Sequence, residues 1–250
     1  MKNERVKYFD EYMDSIFASG LKLTPEEFEQ GAVEYEAMCG RFLPASRAAA
    51  ILDAGCGAGH FLYFLKKKGY VNFTGIDMSP QQVDFCKKNI SEKVMLADAF
   101  DYLRDKNGTF DLISMNDVLE HIPKDKVVPL LSLARESLKT GGKLILKTPN
   151  LGNFFSIFPR YKDFTHEVGF TERSLRQVLW LAGFREITVF GPEAPRSKNL
   201  KGRLQGALTA SIRFALYKLF WYQGYVAPEI MTTLMSAAAV KLGKKCVRVY

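Results

Sequence analysis

The segment Ile51-Leu52-Asp53-Ala54-Gly55-Cys56-Gly57-Ala58-Gly59 carries the clearest chemical signal in the chain. A short apolar run stops at an acid and passes into glycines spaced G-x-G-x-G. Glycines let a backbone approach a ligand where a Cβ would clash, and the helix that follows offers free N–H groups at its start. A dinucleotide turn spaced G-x-G-x-x-G needs glycine at 60, where His60 stands, and no G-K-[ST] follows to make a P-loop. Asp53 would repel a pyrophosphate and attract a cation such as an ammonium group. The loop therefore suits a nucleoside that carries positive charge. Asp77, eighteen residues after Gly59, ends the next apolar run, where a carboxylate can accept both ribose hydroxyls. Asp98, in Leu96-Ala97-Asp98-Ala99, ends the third, where a carboxylate can receive an adenine amino group. Like charges at one sheet edge repel, so the three together point to a ligand that needs them.

Those acids must sit on strand ends, and the pattern around them supplies the strands. Short apolar runs at 49–53, 71–76, 93–97, 110–115, 143–148 and 185–190 alternate with helical periodicity at 61–68, 80–90, 123–139 and 174–182. Buried strands alternating with helices predict a parallel sheet covered on both faces. Two helices precede the first strand. One spans 4–19, and the other starts at Thr24-Pro25-Glu26-Glu27, with Thr24 as N-cap and Pro25 in the first turn. After Pro192 and Pro195, Leu204, Leu208, Ile212, Leu216 and Leu219 form an apolar stripe at helical spacing. Residues 232–240 can return as a last strand. The whole of 1–250 reads as one domain: a helical cap over 1–47, a core over 48–192, a basic amphipathic insertion over 196–224 and a closing strand over 230–242.

Composition excludes several classes. With 47% hydrophobic residues the chain can bury a core, and four widely spaced cysteines with no C-x-x-C pair give no support to a disulfide framework, a zinc site or an iron–sulfur site. No metal is expected. The charged start MKNERVKYFDEYMD lacks a signal h-region, and no run of eighteen apolar residues exists, so a cytoplasmic location is expected. The net charge of +8 is local: residues 196–250 hold ten Lys and Arg and one acid, Glu229, whereas residues 1–195 hold 25 basic and 26 acidic residues. A local basic element argues against nucleic acid as partner and for a surface that meets an anionic membrane, an anionic acceptor or a second copy of the chain.

The segments ILDAGCGAGHFLYFL, TGIDMSP, LADAF and FDLISMNDVLEHIP resemble, in order and spacing, the motifs of class I S-adenosylmethionine-dependent methyltransferases, nearest to the small-molecule branch with quinone and glycan enzymes. The resemblance covers about residues 45–190. It implies a Rossmann-like α/β fold with a seven-stranded, mostly parallel sheet whose last strand is antiparallel. It implies S-adenosylmethionine as cofactor, with Asp53, Gly55, Cys56, Gly57 and Gly59 around its methionine part. Asp77 would then bind the ribose, Met78 would stack on adenine, Asp98 and Ala99 would bracket it, and Asn116 would lie near the sulfonium. The absence of N-P-P-Y after strand 4 argues against amine or amide methylation and favours a hydroxyl on a sugar, glycolipid or quinol.

Such a transfer needs an aligned acceptor and removal of a proton. The chain has three histidines, His60, His121 and His166. His60 opens a helix and reads as packing. His121 can be a base or a cap, with Glu120 able to orient a histidine although a turn glutamate is more often exposed. His166 lies in Asp163-Phe164-Thr165-His166-Glu167-Val168-Gly169-Phe170-Thr171, which resembles a stretch at the active-site mouth of glycan-type relatives, and it is the expected base. The aromatics of 151–161 can line a hydrophobic acceptor pocket or pack beneath a loop. Tyr8, Tyr12 and Tyr35 are possible contacts from the N-terminal helices. C-methylation of a ring precursor and a non-catalytic cofactor-binding role use the same site; a nicotinamide dehydrogenase is disfavoured by Asp53 and His60.

Overall fold

The computed structural model describes residues 23–153, 157–192, 200–224 and 226–243. The helix expected over 4–19, with Tyr8 and Tyr12, lies outside the described residues. Helix α1 (Pro25–Cys39) starts where the sequence predicts: Thr24 accepts from the Glu27 amide while the Glu27 carboxylate accepts from the Thr24 amide, a closed capping box. Strand β1 (Ile51–Ala54) leads into α2 (His60–Lys67), β2 (Phe73–Asp77), α3 (Pro80–Asn89) and β3 (Val94–Leu96). Then follow α4 (Ala99–Leu103), β4 (Phe110–Asn116), α5 (Lys124–Ser137) and β5 (Leu138–Pro149). The chain continues through α6 (Ile157–Tyr161), α7 (Glu172–Leu181), β6 (Arg185–Phe190), α8 (Leu200–Tyr222) and β7 (Leu234–Val240).

The seven strands form one sheet in the order β3-β2-β1-β4-β5-β7-β6. Strands β1 to β5 pair in parallel, and β7 pairs antiparallel with both β5 and β6. The architecture is therefore the expected Rossmann-like one, with its last strand reversed. The ends Ala54, Asp77, Asn116, Pro149 and Phe190, together with the start of β7 at Leu234, consequently share one edge of the sheet.

Alternation of side chains along each strand builds two cores. Ile113, Leu144 and Leu146 face one side with Leu130 and Leu131 of α5 and Leu175 and Leu179 of α7. Leu112 and Ile145 face the other with Phe28 of α1, Phe61 and Phe64 of α2 and Val83 of α3. Both faces are thereby covered, which is what allows the strands to read as unbroken apolar runs.

Three differences from the sequence reading have local causes. The helix predicted to 139 ends at Ser137, because β5 begins at once at Leu138, which pairs with Phe110 across a register shift. The short helices α4 and α6, five residues each, are below the length at which periodicity is readable. Helix α8 forms over the expected segment, but its exposed apolar residues are not confined to one stripe: Phe214, Tyr217 and Trp221 lie off the Leu204–Leu208–Ile212 row and are also exposed. The simple two-faced pattern is thus corrected.

The turn after β1 depends on Gly59, whose φ is +93° and whose added Cβ would stand 2.5 Å from the Cys86 sulfur and 3.3 Å from Ile90. Gly59→Ala is expected to lower stability by about 1–3 kcal/mol through backbone strain and overpacking. Thermal unfolding checks this, and an unchanged Tm would contradict it.

Candidate active site

Asp53 is 1% exposed at the end of β1, with Ser114 of β4 donating its hydroxyl to Oδ1. Burial pushes its carboxyl up to about 7, with Asp77 adding repulsion and Ser114 and Lys147 opposing the rise. Gly55, Gly57 and Gly59 all hold positive φ, and a Cβ on each would crowd Val118, Gln82 and Cys86 respectively. Cys56 is buried beneath that loop.

The Asp77 carboxylate organises the loop. Its Oδ2 accepts from the Gly57 amide at 2.8 Å and its Oδ1 from the Ser79 amide at 2.9 Å. One residue thus ties the β1–α2 turn to the start of α3. Burial pushes its carboxyl above the usual range, against those two amides. Each carboxylate oxygen keeps acceptor capacity for a ligand hydroxyl. Met78, beside it, is half-buried. Asp98 caps α4 by accepting from the Phe100 amide at 2.7 Å, and Ala99 opens that helix. Asp77 ends β2 as the sequence reading has it, whereas Asp98 lies two residues beyond β3 as the N-cap of α4; the structural ties of both carboxylates were not legible there.

Asn116 ends β4, adjacent to Asp53. Both atoms of its amide are buried, and the amide opposes the rise of the Asp53 carboxyl beside it. The next residue, Asp117, takes φ +55°, a left-handed value uncommon for a non-glycine.

That turn carries Asp117 to the Nζ of Lys147 on β5 at 2.6 Å. Burial opposes the charge on Lys147, but Asp117, Tyr35 and Glu120 overcome it and hold the ammonium well above its ordinary value. The Lys147 Nζ also sits 5.5 Å from the ring centre of Tyr35 on α1, the one of the three candidate tyrosines within the described residues. Sequence reasoning missed Lys147, since a lysine in a strand pattern reads as solvent-facing.

The three residues named for proton transfer come together. Glu120 and His121 lie in the turn after β4, and His166 follows β5 in the chain. One ligand atom from each lies within 4.8 Å of the others. Glu120 is buried, contrary to the expectation of an exposed turn residue: Thr148 donates to its Oε2 at 3.1 Å, and its main-chain oxygen accepts from the Glu167 and Val168 amides. Burial, with Asp117 nearby, pushes its carboxyl up to about 8. Thr165 Oγ1 stands 2.8 Å from the His121 Nδ1 and donates to Asp163 at 2.7 Å. Burial, then His166, pushes His121 down to about 4, so it is neutral at ordinary pH. The His121 and His166 rings meet edge to face with centres 4.9 Å apart. The Nδ1 of His166 is buried with no partner. Its main-chain oxygen is held by Arg160 at 2.6 Å. His60 stands apart from these groups and stacks on Phe28 at 4.3 Å, the packing role expected. Of the aromatics in 151–161, Phe158 and Tyr161 are exposed rather than packed under the loop, as is Phe164 beyond it, and Phe154 and Phe155 lie outside the described residues. Glu120, His121 and His166 could also hold a divalent cation, a juxtaposition that residues so far apart in sequence did not reveal.

Asp53 bears on stability. Between its ordinary value of 3.8 and about 7, the folded chain keeps a proton that the unfolded chain has released, so stability falls as pH rises through that window. Asp53→Asn is therefore expected to raise the Tm of the ligand-free protein at about pH 8, and much less at about pH 4. Equal effects at both, followed by calorimetry, would contradict the assignment.

Comparison with known proteins shows the family. A family model described as a methyltransferase domain matches residues 9–189. A ubiquinone biosynthesis O-methyltransferase of Xanthomonas axonopodis pv. citri is 30% identical over 123 residues, 47% of this chain and 49% of that protein. The mitochondrial enzyme of that name from Schizosaccharomyces pombe is 31% identical over 106 residues, 39% of this chain and 37% of that one. The chain thus spans about half or less of the curated relatives it matches. Among solved structures, an S-adenosylmethionine-dependent methyltransferase from Archaeoglobus fulgidus superposes with TM-score 0.62 at 22% identity, over 86% of this chain and 97% of the other. Phosphoethanolamine N-methyltransferase 2 of Haemonchus contortus, solved with S-adenosylmethionine, gives 0.64 at 19%, over 96% and 60%. The family match covers most of the chain, and the chain belongs to the methyltransferase-domain family, the class I S-adenosylmethionine-dependent methyltransferases.

Proposed function

We propose that the protein methylates a hydroxyl oxygen of a small-molecule or lipid-linked acceptor of quinol, sugar or glycolipid type. The observation that carries the reading is the Glu120–His121–His166 cluster beside the end of β4, where the buried Nδ1 of His166 has no partner. The relatives named O-methyltransferases support it for the part of the chain they match.

When bound, S-adenosylmethionine supplies an electrophilic methyl group on a sulfonium. The buried Asn116 amide beside Asp53 and the positive-φ glycine loop fit such a ligand. In this reading Asp53 meets the ammonium of the methionine part, lined by Gly55, Cys56, Gly57 and Gly59. Asp77 accepts the ribose hydroxyls, Asp98 and Ala99 hold adenine, and Met78 packs on its face. His166 takes the acceptor's hydroxyl proton at Nδ1. His121, neutral and anchored through Thr165 to Asp163, holds the His166 ring edge-on. Lys147 keeps an oxyanion from being repelled by the surrounding acids. C-methylation would need no such base.

A second reading is favoured by the same geometry. Glu120, His121 and His166 can together hold a divalent cation that binds the acceptor oxygen and lowers its pKa.

Turnover of methyl-labelled S-adenosylmethionine on a panel of catechols, quinols and sugars tests the proposal. His166→Ala is expected to lower turnover about a hundredfold while S-adenosylhomocysteine still binds. Near-normal turnover would remove His166 from the chemistry. Chelation with EDTA separates the two readings. Unchanged turnover supports the base, and loss restored by added magnesium or zinc supports the cation.

A further inference from the structure

Helix α8 is an insertion between β6 and β7, about 34 Å long at the usual helical rise. Its described side chains are exposed almost throughout. Leu204, Leu208, Ile212 and Leu219 form one exposed aliphatic row. Phe214, Tyr217 and Trp221 form a second on nearly the opposite side, Trp221 being 70% exposed. The Lys218 ammonium lies over the Phe214 and Trp221 rings, at 5.6 and 5.8 Å from their centres. The helix carries Lys201, Arg203, Arg213 and Lys218, and no Asp or Glu. No described helix is long and apolar enough to cross a membrane.

From this we infer that α8 lies in the interface of an anionic lipid bilayer and brings the methyltransferase site to a membrane-borne acceptor. Water on both apolar rows is unfavourable for so many large side chains. A lipid interface accommodates both: aliphatic groups enter the acyl region, while tyrosine and tryptophan rings and lysine stems sit at headgroup level. Four cations without one acid complement anionic headgroups. The same charge disfavours a second copy of the chain, which would set cations against cations.

The insertion also leaves the sheet at the right place. Its flanking strands end and begin at the edge that carries Asn116 and Pro149. Beyond the helix, the chain is tied to the loop after β5. Asn150 donates to the Ile230 and Thr232 oxygens at 2.8 and 2.9 Å, and Asn153 donates to Met231 at 2.6 Å. That loop leads to His166 and presents the exposed Phe158, Tyr161 and Phe164. The acceptor class this implies is a hydroxyl-bearing ring or sugar on a lipid tail. The inference deepens the proposed function and rests on it for the acceptor, but the docking itself is measured separately.

The test is co-sedimentation of the whole chain with vesicles of phosphatidylcholine alone and of phosphatidylcholine mixed with phosphatidylglycerol. It is run beside Leu208→Glu/Ile212→Glu and a Trp180→Phe variant that leaves Trp221 as the lone tryptophan. S-adenosylhomocysteine binding is measured on every variant, so failure of the cofactor reading and failure of docking show up in different assays. The expected result is binding to the anionic vesicles, a loss of about tenfold in the double variant, and a blue shift of Trp221 emission. Absence of binding, binding indifferent to the double variant, or a dimer in sedimentation velocity that the double variant dissociates would overturn it.

Discussion

The structure depends on a carboxylate in a place where carboxylates are not comfortable. Asp53 is fully buried at the centre of the sheet, between β2 and β4, and the Asp77 carboxylate adds to the repulsion it feels. Ser114 and the distant Lys147 relieve part of this and leave the group poised near neutral pH. Isolated buried charge is expensive unless it is paired. In the proposed reading, the ammonium group of the family's cationic cofactor offsets the Asp53 charge. The Asp77 tie to Gly57 and Ser79 and the buried Asn116 amide belong to the same neighbourhood.

The second half of the site is built by topology. Parallel strands place Asn116 and Pro149 at one edge, and the turns beyond them bring Glu120 and His121 against the segment carrying His166. The contact is fixed by main-chain hydrogen bonds from Glu167 and Val168 to Glu120 and by the Arg160 guanidinium. The left-handed Asp117 turns the chain between the two halves, and its ion pair with Lys147 fastens that turn to β5. Strain at such a residue persists only where its surroundings over-determine it, and here they do.

Much of this was legible in the sequence because glycine, proline and strand-end acids have few other uses in that order. The loop 53–59, Asp77 and the Thr24 cap appear where expected, whereas the reversal of β7 was implied by the family resemblance alone. What could not be read depends on long-range packing. Glu120 looks like a solvent-exposed turn residue until Thr148 and the segment after α6 close over it. Lys147 looks like an outward strand residue until Asp117 and Tyr35 meet it. The junction at Leu138 looks helical until β4 pairs with it. Apolar periodicity in α8 suggested one stripe, and only the exposed side chains revealed a second.

The most direct test of the account is calorimetric titration of S-adenosylhomocysteine into the protein over a series of pH values. If Asp53 meets the ligand's ammonium group, affinity rises as the pH approaches about 7, the value to which burial lifts that carboxyl, and levels off above it. Asp53→Asn then flattens the profile. Affinity independent of pH in the unaltered protein, or a slope that survives in Asp53→Asn, would contradict the claim that a buried carboxylate organises this site.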